Sequence, residues 1–109
     1  MSQLSQQLER LQAVIDARRG ADPAASYTAS LLAAPARAAK KLGEEAVGLA
    51  IAAAQGDRAA VTAESADLLY HWLVLLAAIG VDPNAVAEAL AARAGRSGLE
   101  EKASRPSAF

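Results

Sequence analysis

Leu4, Leu8, Leu11 and Ile15 recur at helical spacing, with Glu9, Arg10 and Asp16 between them. This periodicity predicts an amphipathic helix over about Ser5 to Arg18. Gly20 and Pro23 end the pattern and open a loop. A short helical turn is expected at Ser26–Leu32, with Ser26 or Thr28 able to cap it. Pro35 suits the first turn of the next helix, which runs to about Gln55 and stops at Gly56. Asp57 can cap a following helix that extends to Gly80. Asp82-Pro83 is another start signal, a capping acid before a proline, for a last helix to about Ala94 that Gly95 ends.

The stretch Leu68–Ile79 is apolar almost all round, which marks a helix with little solvent face. A bilayer span needs about 20 such residues, so this shorter stretch reads as a core helix and not a membrane span. Alanine, the best helix former, dominates the chain, and strand-like alternation between turn signals is absent. The fold class expected is therefore all-α, a helical bundle built around a central helix hairpin joined at Gly56-Asp57. Residues 1–95 read as the helical domain and 96–109 as a polar, irregular tail with Gly98 and Pro106.

Length and charge narrow the picture. A chain of 109 residues is expected to be one domain, able to bury roughly two thirds of its unfolded surface. Eleven basic and twelve acidic side chains leave a net charge of -1. No long basic stripe appears, which argues against a nucleic-acid partner. The absence of cysteine excludes disulfides and thiolate metal sites and fits a reducing cytoplasm. The first residues, Met1 to Gln7, show no basic region followed by an apolar one, so no signal peptide is expected.

The candidate chemistry lies in two acidic pairs, Glu44-Glu45 and Glu64…Asp67. Carboxylates are costly to bury unless something positive holds them. Asp67 opens directly into the apolar stretch, so Glu64 and Asp67 are expected to look toward the inside of the bundle. Glu64 and Asp67 are an i, i+3 pair on one helix face, and His71 continues that stripe. In an antiparallel hairpin turning at Gly56-Asp57, a rise of 1.5 Å per residue brings the two acidic pairs within roughly one turn of level. Oxygen ligands from facing helices suit Mg²⁺, which keeps several waters and bridges to phosphate oxygens. Adjacent Glu44 and Glu45 diverge by about 100 degrees, so one serves as a direct ligand and the other sits behind it or acts on water.

Plainer readings stand beside these. Lys40–Glu44 and Lys41–Glu45 are both i, i+4 pairs, the spacing of surface salt bridges worth about 0.2–0.5 kcal/mol each. Lys40 or Lys41 would meet a substrate phosphate on the functional reading and would be solvated face on the plain one. His71 fits a hydrogen-bonded core histidine better than a ligand or base. Tyr70 and Trp72 read as packing or interface residues, and Arg18, Arg19 and Arg93 as surface residues within reach of an anion.

Ser26-Tyr27-Thr28, the run Lys40 to Val47, Ile51-Ala52-Ala53 and the run Glu64 to His71 together resemble phosphoribosyl-ATP pyrophosphatase. The tail adds Ser97-Gly98 and Glu101-Lys102-Ala103-Ser104-Arg105, so the resemblance covers nearly the whole chain in order. The family is similar to the wider all-α nucleoside triphosphate pyrophosphatases, marked by Glu-Glu-x-x-Glu on one helix and Glu-x-x-Asp on the next. The resemblance implies a Mg²⁺-dependent enzyme of histidine biosynthesis that hydrolyses phosphoribosyl-ATP to phosphoribosyl-AMP and pyrophosphate. It also implies a homodimer whose helices complete one bundle. Carried onto this chain, Glu45, Glu64 and Asp67 would hold the metal, Lys40 or Lys41 would bind phosphate, and Glu44 would orient or deprotonate the attacking water.

One position departs from the pattern. The third glutamate of Glu-Glu-x-x-Glu falls at position 48, where this chain has Gly48. Glycine offers no ligand, and inside a helix it costs about 1 kcal/mol relative to alanine. Water can replace the missing carboxylate, Glu44 can swing in, or the site is crippled. The rival functions are accordingly a housekeeping nucleoside triphosphate pyrophosphatase, which the same acids would serve, and a non-catalytic helical dimer that has lost its metal site.

Overall fold

Most helices of this protein begin where a side chain can accept from an exposed amide. The computed structural model describes residues 2–95 and 98–105. Ser2 accepts from the Ser5 amide at 3.1 Å and starts α1, Gln3–Ala17. Ser26 does the same for Ala29 at 3.1 Å and starts α2, Tyr27–Leu32. Proline at the first position opens α3, Pro35–Ala54. Asp57 caps α4, Arg58–Ile79, through the Ala60 amide at 3.0 Å. Asp82 caps α5, Pro83–Arg93, through the Asn84 amide at 2.9 Å. Each boundary falls within a residue or two of the expected one, because the signals are local.

The tail is a correction. It was expected to be irregular, yet Gly98–Ser104 form a further helix, α6. Leu99, Glu100, Lys102 and Ala103 are good helix formers, and Gly98 stands at the first position, where it interrupts nothing. Ser97 of the expected Ser-Gly motif and Pro106 lie outside the described residues.

No strand occurs among the described residues. α4 is the hub: it packs against α1, α2 and, along its greatest length, α3. That placement explains why its second half is apolar on every side. Its buried residues, His71, Leu73, Val74 and Leu76, all follow Asp67. Leu73 and Val74 meet Ile15 from α1, Leu31 from α2 and Ala38 from α3, with Leu8, Leu11, Tyr70, Trp72 and Leu75 packed around them. Each large apolar side chain buried this way contributes about 1.5–3 kcal/mol. Gly80 closes α4 at φ 77°, a left-handed backbone that other residues adopt only with strain. α3 turns into α4 through Gln55, Gly56 and Asp57, with the Asp57 amide donating to Ala52 at 3.1 Å.

The core therefore occupies one end of the hairpin and leaves the turn-proximal half of α4 outside it. This overturns the inward orientation expected for Glu64 and Asp67. Glu64 is half-buried against α3 and Asp67 is exposed. The apolar run that follows Asp67, and not the acids, faces the core. Among the described residues no single helix is long and apolar enough to cross a membrane.

Candidate active site

Antiparallel packing of α3 on α4 brings Glu45, Glu64 and Asp67 together. One carboxylate oxygen from each lies within 4.8 Å of the others. Glu64 and Asp67 share a face through their i, i+3 spacing, and Glu45 reaches across from the facing helix. The three acids crowd one another. The Glu64 carboxyl lies above the usual glutamate range, first because of a hydrogen bond with Glu45, then loss of solvation, then the charges of Glu45 and Asp67. A cation placed among such crowded carboxylates would relieve their mutual repulsion. Its donor set, all oxygen and drawn from two rigid helices, fits a hard divalent ion.

Gly48 completes the geometry. A Cβ at this position would stand 2.9 Å from Glu64 Oε2 and 3.2 Å from its Cδ. The Glu64 carboxylate thus occupies space that any side chain at position 48 would contest.

Glu44 does not join the cluster. It is exposed and paired with Lys41, with Nζ donating to Oε2 at 3.0 Å. The hydrogen bond and charge of Lys41 hold the Glu44 carboxyl below its ordinary range, and Glu44 in turn raises the Lys41 ammonium. Neither of the expected i, i+4 pairs forms, neither Lys40–Glu44 nor Lys41–Glu45. The i, i+3 pair Lys41–Glu44 replaces them, because Glu45 turns toward α4 and leaves Glu44 as the acid on Lys41's side. Lys40 is exposed beside them.

A polar network flanks the acids on the α2 side. His71 is buried and bonded at both ring nitrogens. Its Nδ1 lies 2.8 Å from the Asp67 carbonyl oxygen and its Nε2 lies 3.1 Å from the Tyr27 hydroxyl. A carbonyl only accepts, so in the neutral ring Nδ1 carries the proton and Nε2 accepts from Tyr27. Thr28 bonds the Tyr70 hydroxyl, and the Tyr27 and Tyr70 rings stack with centroids 6.5 Å apart. His71 is thus a satisfied core histidine, and Tyr70 a packing residue with a polar tie. Trp72 is half-buried at the core's edge. Arg19 bonds Asp16 and the Ala77 carbonyl, away from the acids.

The sequence reading missed two residues here, Tyr27 as a hydrogen-bond partner and Arg37. The Arg37 guanidinium lies 5.8 Å from the Tyr27 ring centroid, and its Nη1 donates to Ser30 Oγ at 3.3 Å. Extending the α3 face back one turn from Lys41 would have found Arg37.

Fold and site together define a protein that is all-α among the described residues, with three carboxylates converging across a helix hairpin and lysines beside them. The family model for phosphoribosyl-ATP pyrophosphohydrolase matches residues 8–94. The chain is 63% identical over 107 residues to the phosphoribosyl-ATP pyrophosphatase of Caulobacter sp. (strain K31), covering 98% of this chain and 100% of that protein. It is 61% identical over 100 residues to the protein of the same name from Parvibaculum lavamentivorans (91% of this chain, 92% of that one). For the Azospirillum brasilense phosphoribosyl-ATP pyrophosphatase the identity is 54% over 101 residues (92% and 91%). The chain belongs to the phosphoribosyl-ATP pyrophosphohydrolase family.

Proposed function

We propose that this chain hydrolyses phosphoribosyl-ATP to phosphoribosyl-AMP and pyrophosphate in histidine biosynthesis, with Mg²⁺ at the Glu45, Glu64 and Asp67 cluster. The observation that carries it is the convergence of those three carboxylates across the hairpin, one turn from Lys41. Family membership supports the substrate.

When bound, Mg²⁺ supplies charge neutralisation on the phosphate oxygens. Glu45, Glu64 and Asp67 would hold it. Lys40 and Lys41 grip the triphosphate. As Lys41 turns from Glu44 to a phosphate oxygen, Glu44 is freed to accept a hydrogen bond from water and orient it. Water oxygen bonds to the α-phosphorus, the bond to the bridging oxygen of the β-phosphate breaks, and pyrophosphate leaves. The proton of the attacking water passes to Glu44. In the resting state the Lys41 bond makes Glu44 a weaker base, which is why the exchange matters.

The same proposal includes a homodimer in the cytoplasm. Val47 and Ile51 on α3, 60% and 52% exposed, offer apolar surface for a second copy. Residues 1–95 serve as the catalytic unit, with 96–109 an appendage.

The test is pyrophosphate release from phosphoribosyl-ATP with and without Mg²⁺, beside a panel of ordinary nucleoside triphosphates and dUTP. Equal rates with and without Mg²⁺ would remove the metal. Preference for the free triphosphates would make the chain a housekeeping enzyme. Gly48 favours a second reading, a helical dimer that has lost catalysis. A calorimetric Mg²⁺ titration separates the two, because such a protein takes up no magnesium specifically.

A further inference from the structure

We propose that Arg37 binds the second phosphate of the substrate, the 5′-phosphate of its phosphoribosyl arm. This rests on the substrate reading above and adds to it a separate phosphomonoester subsite. The substrate is anionic at two ends, a triphosphate and a monophosphate, with a purine and two ribose rings between. One cluster of cations at the triphosphate cannot hold both ends.

On α3, Arg37, Lys41, Glu45 and Gly48 follow one another at spacings of three to four residues, so they share a face. Arg37 lies about 12 Å along the axis from Glu45 at 1.5 Å per residue, on the side away from the hairpin turn. It is therefore placed to meet the far end of a ligand whose triphosphate sits at the acids.

Arg37 is also held differently from the other paired cations. Lys41 and Arg19 are engaged by carboxylates. Among the described residues Arg37 has no carboxylate partner. It is exposed, rests on the neutral Tyr27 ring and donates to the neutral Ser30 hydroxyl. Both supports are themselves tied down. Ser30 Oγ donates to the Tyr27 carbonyl at 2.6 Å, and the Tyr27 hydroxyl is anchored on His71. The guanidinium is thus oriented while its charge stays uncompensated. Helix stability does not explain it, because a cation in the first turn of α3 opposes the helix macrodipole. A guanidinium can present two parallel N–H donors to a phosphate, which a lysine cannot. The half-exposed Tyr27 ring beside it offers a flat surface to the ribose or purine.

The experiment compares full-length wild type, Arg37→Gln and Arg37→Lys on two substrates with Mg²⁺: phosphoribosyl-ATP and the same molecule without its 5′-phosphate. Wild type should be about 10- to 100-fold less efficient on the dephosphorylated substrate, the usual effect of losing a charge-assisted hydrogen-bond pair. Arg37→Gln should lose a similar factor on phosphoribosyl-ATP, mostly in KM, and lose little more on the dephosphorylated one. Arg37→Lys should fall between. Equal losses by Arg37→Gln on both substrates would mean a merely structural role and overturn the proposal. So would a wild type indifferent to the 5′-phosphate. A wild type that hydrolyses neither substrate would instead sink the substrate reading itself.

Discussion

The Glu64 carboxylate rests on the bare α-carbon of Gly48, so close that a Cβ there would lie 2.9 Å from Oε2. A residue with no side chain on α3 thus determines where an acid from α4 can sit. The contesting atom is the end of a flexible chain, so a larger residue would move Glu64 and leave the backbone in place.

Gly48→Glu should therefore be tolerated and should add a fourth oxygen donor to the cluster. The expected result is Mg²⁺ binding tighter by about tenfold, or about 1.4 kcal/mol, with a rise in turnover, read by calorimetric titration and pyrophosphate release. Gly48→Ala is the control. It should raise the melting temperature, since alanine in a helix interior is worth about 1 kcal/mol over glycine, and it should not tighten the metal. No gain in the glutamate variant would show that the site needs no ligand at position 48.

Glu64→Gln should stabilise the metal-free protein at neutral pH. Glu64 titrates above its ordinary range in the folded chain, so the folded state binds protons more tightly than the unfolded one. Stability then falls as pH rises from the ordinary glutamate pKa, about 4.3, through the folded value, and stays reduced above it. The variant lacks this titration. With EDTA present, its melting temperature should exceed that of wild type at pH 7, and the gap should close toward about pH 4. Millimolar Mg²⁺ should raise only the wild type. Thermal melts across pH, with chelator and with metal, check both parts.

Tyr27→Phe should destabilise the fold by about 0.5–1.5 kcal/mol, the range for one hydrogen bond lost from a partly buried pair. The phenylalanine ring still packs on Tyr70, so the loss isolates the bond to His71 Nε2. Urea unfolding is the measurement. A variant as stable as wild type would show that water satisfies His71 equally well.

Val47→Asp with Ile51→Asp should give a monomer by light scattering while circular dichroism stays helical. Both side chains are exposed, so the charges add no burial penalty within one chain. Activity should fall with the loss of the dimer. A double variant that remains dimeric would move the interface elsewhere, for example to α5, where Leu90 is 61% exposed.

The convergence of the three carboxylates was partly legible in the chain. Glu64 and Asp67 share a face by spacing alone, and the turn at Gly56-Asp57 places Glu45 near their level. The choice between Glu44 and Glu45 follows from which of two adjacent residues faces α4, and that depends on the rotation of α3 in its packing. The same rotation leaves Glu44 to pair with Lys41. The Tyr27–His71 contact joins residues 44 apart in sequence, a separation that no periodicity reports.

By itself, the sequence determined helices α1 to α5 and their ends, while α6 in the tail escaped it. Capping side chains, prolines and glycines act within four residues, and the three-and-four apolar spacing is a property of one helix. Only the tertiary structure decided that the acids lie outside the core, that Glu64 lies over Gly48, and that Arg37 is seated on Tyr27. These relations arise when α2, α3 and α4 pack together. Packing sets the rotation of each helix and brings together side chains that have no local reason to meet.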